Sequence, residues 1–425
     1  MLSAERQLEV LCRGVVDLHV RAELEARIRT GRPLRVKAGF DPTRPDIHLG
    51  HTVVMAKMRQ FQELGHTVVF VVGDFTAMIG DPTGRNELRP SLTREAVLEA
   101  AKTYQDQAFK VLDKDRTEVR YNSEWIDPLK PWETIELCSK YTVARMLERD
   151  DFAKRMEDKR PIFVHELLYP LFQAYDSVKL ACDVELGGTD QLFNLLAARD
   201  IMPRYGIPGQ IVMTVPLLEG TDARVVDGKI TGKKMSKSAD NYVGIDEPPF
   251  EMLQKLMLVD DAVIWRYLEL LSSRSSEEIA TLRADVVAER VNVIRVKELF
   301  AQEMVTRFHS AEAAEAALAR RRKVAEGGRP DHVDELDVLI EGDAVLLGKA
   351  LALAGLAASS SEGARLVKGG AVHVDDVVVK DDKQKLDKGK RYLVRVGSKN
   401  RRFAWLSIVT MGDPERVPHP PPARG

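Results

Sequence analysis

Short apolar runs alternate with segments of helical period through the first half of the chain, and the runs ending at 38, 72 and 188 empty into glycine-bearing loops. That alternation constrains the fold most, because strand–helix–strand units joined this way close into a parallel sheet with helices on both faces. Residues 34–38 read as a strand, followed by a loop at 39–46 with Gly39, two prolines and two aspartates. Residues 48–64 have the period of a helix with Val53, Val54, Met58 and Phe61 inward, closed by Gly65; 67–72 is an unbroken apolar run of the kind buried on both faces. A second loop covers 73–84, a helix 93–112, a strand 118–121, several helices 132–176, a strand 184–188, a helix from about Asp190 and a strand 210–215. Ahead of these, Leu8, Leu11, Val15, Leu18 and Leu24 predict one helix over 4–29, ended by Gly31-Arg32-Pro33. The pattern is that of an α/β, Rossmann-like doubly wound domain. Ligands of such domains lie beyond the carboxyl ends of the strands, so the loops after 38, 72 and 188 hold the candidate site.

Beyond residue 245 the period is wholly helical, at 252–258, 262–271, 276–287, 291–308 and 311–325. Gly327-Gly328-Arg329-Pro330 then opens a polar stretch. A small α/β unit follows, with a helix at 348–356, a second helix from the cap Ser359-Ser360-Ser361-Glu362, and strands at 377–379 and 392–396. The expected division is a catalytic-type domain with a helical insertion over 1–244, an all-helical domain over 245–326, a linker over 327–346, the α/β unit over 347–408 and a disordered Pro-rich tail over 409–425.

The net charge of −2 argues against a chain that is basic throughout, but the average hides a split. Residues 347–406 carry 13 Lys and Arg against 6 Asp and Glu, a net of +7, and the remainder to residue 425 is neutral, which leaves −9 on residues 1–346. An acidic body with a basic C-terminal module suits a polyanionic partner at that end. Cys12, Cys138 and Cys182 lie far apart and form no C-x-x-C pair, which argues against a disulfide framework or zinc cluster and for a reducing compartment. The N-terminus lacks a basic stretch followed by an apolar core, and no apolar run approaches the roughly 20 residues of a membrane span; a soluble cytoplasmic protein is expected.

Two constellations carry chemistry. The first is His48-Leu49-Gly50-His51, just after Gly39-Phe40-Asp41-Pro42-Thr43. A helix N-terminus offers free N–H groups and partial positive charge to phosphates, Gly50 permits close approach to the backbone, and two histidines on one side of the first turn can donate to phosphate oxygens. Alone, the pair could equally be surface histidines. The second is Lys233-Lys234-Met235-Ser236-Lys237-Ser238, in a glycine-bearing loop with Arg224 and Lys229 nearby. Such a loop can close over a polyphosphate and neutralise the charge of departing pyrophosphate, although most lysine-rich stretches are merely solvated.

Together, HLGH near the front and KMSKS near the end of one α/β domain resemble the paired motifs of the class I aminoacyl-tRNA synthetases, over most of the chain. Tyr169, Gln173 and Asp176 share one face of a predicted helix. By spacing alone that face either packs on another domain or turns a buried carboxylate to a ligand hydroxyl and two polar groups to an ammonium. The string Tyr169-Pro170-Leu171-Phe172-Gln173-Ala174-Tyr175-Asp176 resembles the tyrosine-binding helix of bacterial tyrosyl-tRNA synthetases, supported by Gly80-Asp81-Pro82 and Gly187-Gly188-Thr189-Asp190-Gln191. The segment 364–375, A-R-L-V-K-G-G-A-V-H-V-D, resembles the small RNA-binding domain named after ribosomal protein S-four, which tyrosyl enzymes typically carry and tryptophanyl enzymes typically do not.

The resemblance implies a tyrosine–tRNA ligase that forms tyrosyl-adenylate from ATP and passes the tyrosyl group to tRNA(Tyr), acts as a homodimer, takes Mg²⁺ with ATP, and reads 245–326 as a domain of anticodon-binding type. It implies that Asp81, Tyr169 and Gln173 hold the substrate ammonium, that Asp176 binds the phenol and that Gln191 lies near the carboxylate. Asp190 would contact the ribose, Thr43, Gly50, His48 and His51 would serve ATP, and Lys234 and Lys237 the pyrophosphate. A site built to hydrogen-bond a hydroxyl rejects the analogue lacking it, a rule for which tyrosyl-tRNA synthetases are themselves the worked case. Two departures stand out. Lys37 occupies a position where many bacterial relatives have a tyrosine that also reaches the phenol, and residues 222–232, before KMSKS, run longer than usual. Two other readings are a different adenylate-forming enzyme, tryptophanyl or a small-molecule nucleotidyltransferase, and a non-catalytic RNA-binding relative. The RNA-binding module counts against the former and the intact motifs against the latter.

Overall fold

The computed structural model describes residues 2–42, 47–83, 92–325, 333–397 and 402–410. The central sheet contains β1 (Leu18–His19), β2 (Arg35–Phe40), β3 (Thr67–Val72), β4 (Thr117–Tyr121), β5 (Val184–Gly188) and β6 (Ile211–Val215), in the order β1-β6-β5-β2-β3-β4. The strands from β2 to β6 are parallel, and β1 is antiparallel to β6. From β2 the chain steps outward to β3 and β4, then returns on the other side as β5 and β6. The winding therefore reverses between β2 and β5, which opens a crevice at their carboxyl ends. β3 is buried from Val68 to Val72, the burial expected of a strand covered on both faces.

Helices cover both faces: α1 (Ala4–Cys12), α2 (Arg21–Arg29), α3 (Leu49–Glu63), α4 (Arg94–Ala108), α5 (Val164–Leu180) and α6 (Leu192–Ile201). The single helix expected over 4–29 is two helices with β1 between them. The free edge of β6 wins over helical continuation there. Val16 N–H donates to Thr214 O (2.9 Å), Thr214 N–H donates to Asp17 O (2.9 Å), and the Thr214 hydroxyl donates to Asp17 Oδ2 (2.6 Å). Leu8, Leu11 and Leu24 still reach the core. Lys57 on α3 donates to the carbonyls of Leu11 (3.0 Å) and Arg13 (2.8 Å) at the end of α1, which ties the helix bearing the histidines to its neighbour.

The predicted later helices appear as Pro249–Leu258, Ile264–Leu271, Ser276–Val287, Val293–Phe308 and Ala311–Ala325. Side-chain caps at Ser275 and Asn292 set two of the starts. The chain divides into two compact units at Glu315/Ala316, so the boundary expected at 244 falls inside the first unit.

The second unit holds a five-stranded sheet in the order β12-β11-β14-β15-β9, from β9 (Asp334–Ile340), β11 (Val372–Val374), β12 (Val377–Val379), β14 (Arg391–Val396) and β15 (Arg402–Thr410). A separate pair joins β10 (Ala344–Leu346) to β13 (Lys385–Asp387). The stretch expected as a linker over 327–346 thus contains two strands. β9 pairs in parallel with β15 from Asp334↔Ala404 to Ile340↔Thr410, because Val338 and Ile340 have apolar faces to bury in this core. Val409 and Thr410, assigned to the tail by sequence, end β15; residues 411–425 lie outside the described residues. Ser359 caps the second helix, Ser360–Lys368, by accepting from Glu362 N–H (3.2 Å). Lys349, Arg365, Lys368, Lys380, Lys383 and Lys388 are exposed on this unit.

Candidate active site

The carboxyl ends of β2, β3 and β5 open into a cavity of about 410 Å³. It gathers nearly every residue singled out from the sequence: His48, Gly50, His51, Asp81, Tyr169, Gln173, Asp176, Asp190, Gln191 and Lys234 all line it. Lys237 does not line it, though its charge reaches both histidines. Thr43 lies outside the described residues.

One side of the cavity is basic. His48 is the N-cap of α3, and its Nδ1 accepts from Gly50 N–H (3.2 Å), while His51 Nδ1 accepts from His48 N–H (3.2 Å). A backbone N–H can only donate, so both Nδ1 atoms are unprotonated and each neutral ring carries its proton on Nε2. Burial, reinforced by the partner ring and by Lys237 and Lys234, pushes His48 down to about 2. Burial and Lys237 take His51 to about 4. Both rings are therefore neutral donors at physiological pH. Gly50 is needed because a Cβ there would stand 2.9 Å from His48 Cε1: the folded-back His48 ring makes the close approach.

The KMSKS segment faces them. Gly220 N–H donates to Lys233 O (3.0 Å) and Met235 N–H to Leu218 O (2.8 Å), so the first half of the motif is laddered to a neighbouring strand-like stretch rather than free. The stretch before it, 222–232, forms a hairpin of β7 (Arg224–Val226) and β8 (Lys229–Thr231), turned by Asp227 and Gly228 at φ of +51° and +73°. Lys234 pairs with Asp190 at 3.1 Å, and Lys237 lies 5.9 Å from the centre of the Tyr242 ring.

The other side is acidic. Asp176 on α5 is buried and accepts from Trp125 Nε1 (2.8 Å) and Asn122 Nδ2 (3.5 Å). Burial lifts its pKa to about 7 despite the opposing charge of Lys37. Asp41, at the end of β2, accepts from the hydroxyls of Thr76 (2.8 Å) and Tyr169 (2.9 Å) and is likewise raised to about 7 by burial. Because Tyr169 spends its proton on Asp41, its oxygen lone pairs remain for a donor. Asp81 accepts from Gln191 Nε2 (2.7 Å) and Arg149 Nη2 (3.2 Å).

Sequence reading left Asp41, Thr76, Asn122, Trp125 and Arg149 without roles. Asp41 sat in a noted loop directly after a strand, which is a usable signal. Asn122, Trp125 and Arg149 arrive through tertiary packing and leave none. Lys37, noted for its departure from the family pattern, is fully buried and pairs with Glu185 at 3.0 Å.

A parallel sheet whose switch-point crevice carries paired neutral histidines with a lysine loop beside them is the catalytic architecture of a class I aminoacyl-tRNA synthetase. The chain belongs to the family described as tRNA synthetases class I (W and Y), whose pattern matches residues 29–325, and an S4 domain pattern matches residues 347–391. It is 50% identical over 406 residues to the tyrosine–tRNA ligase of Thiobacillus denitrificans, covering 95% of this chain and 100% of that one. It is 50% identical over 412 residues to that of Coxiella burnetii, covering 96% and 100%. Among solved structures, the tyrosyl-tRNA synthetase of Archaeoglobus fulgidus complexed with L-tyrosine superposes with a TM-score of 0.59 at 22% identity, over 75% of this chain and 100% of that one, a likeness of fold.

Proposed function

We infer that the chain activates tyrosine with ATP and transfers it to the 3′ end of tRNA(Tyr): its activity is that of a tyrosine–tRNA ligase. The observation that carries this is one cavity with buried carboxylates on one wall and neutral histidines with Lys234 on the other. The tyrosine carboxylate attacks the α-phosphate of ATP and pyrophosphate leaves; a terminal ribose hydroxyl of the tRNA then attacks the activated carbonyl. No side chain needs to become acylated, so positioning and charge stabilisation supply the catalysis. Asp176 takes the phenol; Asp81, Tyr169 and Gln173 take the ammonium; Gln191 lies near the carboxylate. His48 and His51 donate through Nε2 to phosphate oxygens, Gly50 and Thr43 serve ATP, Asp190 takes the ribose, and Lys234 and Lys237 neutralise the pyrophosphate.

Mg²⁺ is proposed to arrive with the ATP phosphates; among the described residues no three His, Cys, Asp or Glu side chains gather to cage a metal. The helices after residue 245 are proposed to serve the tRNA anticodon region, and the exposed lysines and arginines of the C-terminal unit its phosphates. No helix of the described residues is long and apolar enough to cross a membrane, and Cys12, Cys138 and Cys182 are all free, which supports a cytoplasmic setting. A homodimer is supported by Trp132, Ile135, Val143, Met156, Phe163 and Val164, large apolar side chains exposed on the chain between β4 and β5. Trp132→Asp with Val164→Asp is expected to yield monomers by sedimentation; unchanged mass would remove these side chains from the interface.

ATP–pyrophosphate exchange with each of the twenty amino acids tests the function. Tyrosine alone should support exchange; exchange with tryptophan, or with none, would overturn the assignment.

A further inference from the structure

Lys37 and Glu185 face each other across the β2–β5 register, each side chain 1% exposed, with Nζ 3.0 Å from Oε1. Neither lines the cavity, and no role assigned so far uses them. Burying two charges is costly unless every lone pair is met. Here they are met: Glu185 Oε1 also accepts from Gln173 Nε2 (3.3 Å), and Oε2 accepts from the Ser177 hydroxyl (3.2 Å) and from Gln210 Nε2. Lys37 donates as well to the carbonyl oxygen of Gln173 (3.4 Å). Burial opposes the Lys37 charge, but Glu185 and Asp176 outweigh it and hold its pKa above the usual lysine value.

The consequence falls on Gln173. A carboxylate only accepts, so the amide must turn its nitrogen to Glu185. Its oxygen is then committed to the opposite side, where it is buried and has no hydrogen-bond partner among the described residues. Gln173 lines the cavity one turn after Tyr169, whose lone pairs are free in the same way. A buried acceptor without a donor costs free energy that a ligand's N–H can recover. We propose that the Lys37–Glu185 ion pair is a positioning unit for amino-acid recognition: Glu185 fixes the Gln173 amide with its oxygen toward the substrate ammonium, and Lys37 anchors Glu185. This rests on the reading of the cavity as a tyrosine site.

The test separates the ammonium from the rest of the substrate. Replacing both partners (Lys37→Met with Glu185→Met) removes both charges at similar volume, a change often neutral for folding when a pair is only structural. Tyrosinol retains the phenol and ammonium; 3-(4-hydroxyphenyl)propionate retains the phenol and carboxylate. The double variant should raise the tyrosine KM and the tyrosinol inhibition constant by about tenfold, the value of one hydrogen bond to a charged group. The propionate inhibition constant and the ATP KM should stay within about twofold, since neither ligand property depends on an ammonium contact. Glu185→Gln alone, with thermal unfolding as a check on the unpaired lysine, should show a smaller shift of the same selectivity. Equal weakening of both inhibitors, or of neither, overturns the proposal. If the unmodified enzyme shows no tyrosine-dependent exchange, the tyrosine reading itself fails, whatever the variants do.

Discussion

Replacing Asp176 by asparagine tests the phenol contact with almost no change of shape. The carboxylate offers two acceptor oxygens, one held by Trp125 Nε1 at 2.8 Å and the other only loosely by Asn122 Nδ2 at 3.5 Å. An amide has one acceptor oxygen, and an indole N–H can only donate. Leaving the buried Trp125 unpaired would cost about 1–3 kcal/mol, so the amide oxygen turns to Trp125 and its NH₂ turns toward the cavity. The tyrosine hydroxyl then meets a donor where it had a charged acceptor. The loss of about 1.5–3 kcal/mol corresponds to a fall of about tenfold to 150-fold in kcat/KM for tyrosine. Phenylalanine makes no such bond and should change little, so the Tyr/Phe ratio falls by the same factor. Stability should move the other way. Folding raises the Asp176 pKa from its ordinary value to about 7, so its ionised form costs stability above that pH. The asparagine variant should therefore unfold at a higher temperature than the parent at pH 8, with a smaller difference at pH 5. Exchange kinetics with both amino acids and thermal melts at two pH values measure all of this. A parallel loss for tyrosine and phenylalanine would refute the phenol contact, and a lower melting temperature at pH 8 would refute the account of the buried carboxylate.

Other expectations follow from the same geometry. Asp41 and Asp176 are both raised to about 7, so the native chain holds more protons than the unfolded one above about pH 4; their contribution to stability is full below that and is lost as pH rises to about 7. Ionised Asp41 takes the Tyr169 proton, which leaves the Tyr169 lone pairs to the ammonium, and ionised Asp176 accepts from the phenol. Tyrosine KM should therefore fall from pH 6 to 8 while ATP KM stays flat, because His48 and His51 remain neutral; parallel profiles would sink this. His48→Ala or Lys237→Ala should slow adenylate formation by about a hundredfold or more while barely altering tyrosine affinity, measured by rapid-quench and equilibrium binding. Ending the chain after Ala325 should spare tyrosine-dependent exchange and weaken charging of tRNA(Tyr), whereas ending it near residue 345 leaves β9 without β15 and should add aggregation by light scattering.

The strand–helix alternation was legible because runs such as β3 are apolar, buried and bounded by glycine (Gly65 and Gly73), and HLGH and KMSKS because their residues cluster in the chain. The break in the first helix was not, because Leu18 keeps helical spacing with Leu11 while the backbone groups that capture it belong to β6, nearly two hundred residues away. β9 was hidden similarly: its apolar positions are few, and only its partner β15 makes them a strand. In the cavity the spacing of Tyr169, Gln173 and Asp176 put them on one face, yet what orients each of them, Asp41, Glu185 and Trp125, comes from other elements.

The Lys234–Asp190 and Lys37–Glu185 pairs near the cavity have opposite characters, given by their surroundings. Lys234 and Asp190 are 59% and 26% exposed, and such a pair is held by only about 0.2–1 kcal/mol. If Asp190 takes the ATP ribose and Lys234 the pyrophosphate, the nucleotide must part them. Parting them satisfies Asp190 and releases a positive charge where phosphate charge arrives. The backbone ladder from Leu218 to Met235 restrains the loop meanwhile, so a side-chain swing is the smallest motion required. Lys37 and Glu185 cannot behave this way. With each side chain 1% exposed, separating them would strand two charges in the core, at a cost that substrate binding has no means to offset. The exposed pair is thus one that ATP can open, and the buried pair is fixed, so that tyrosine meets the amide it orients already in place.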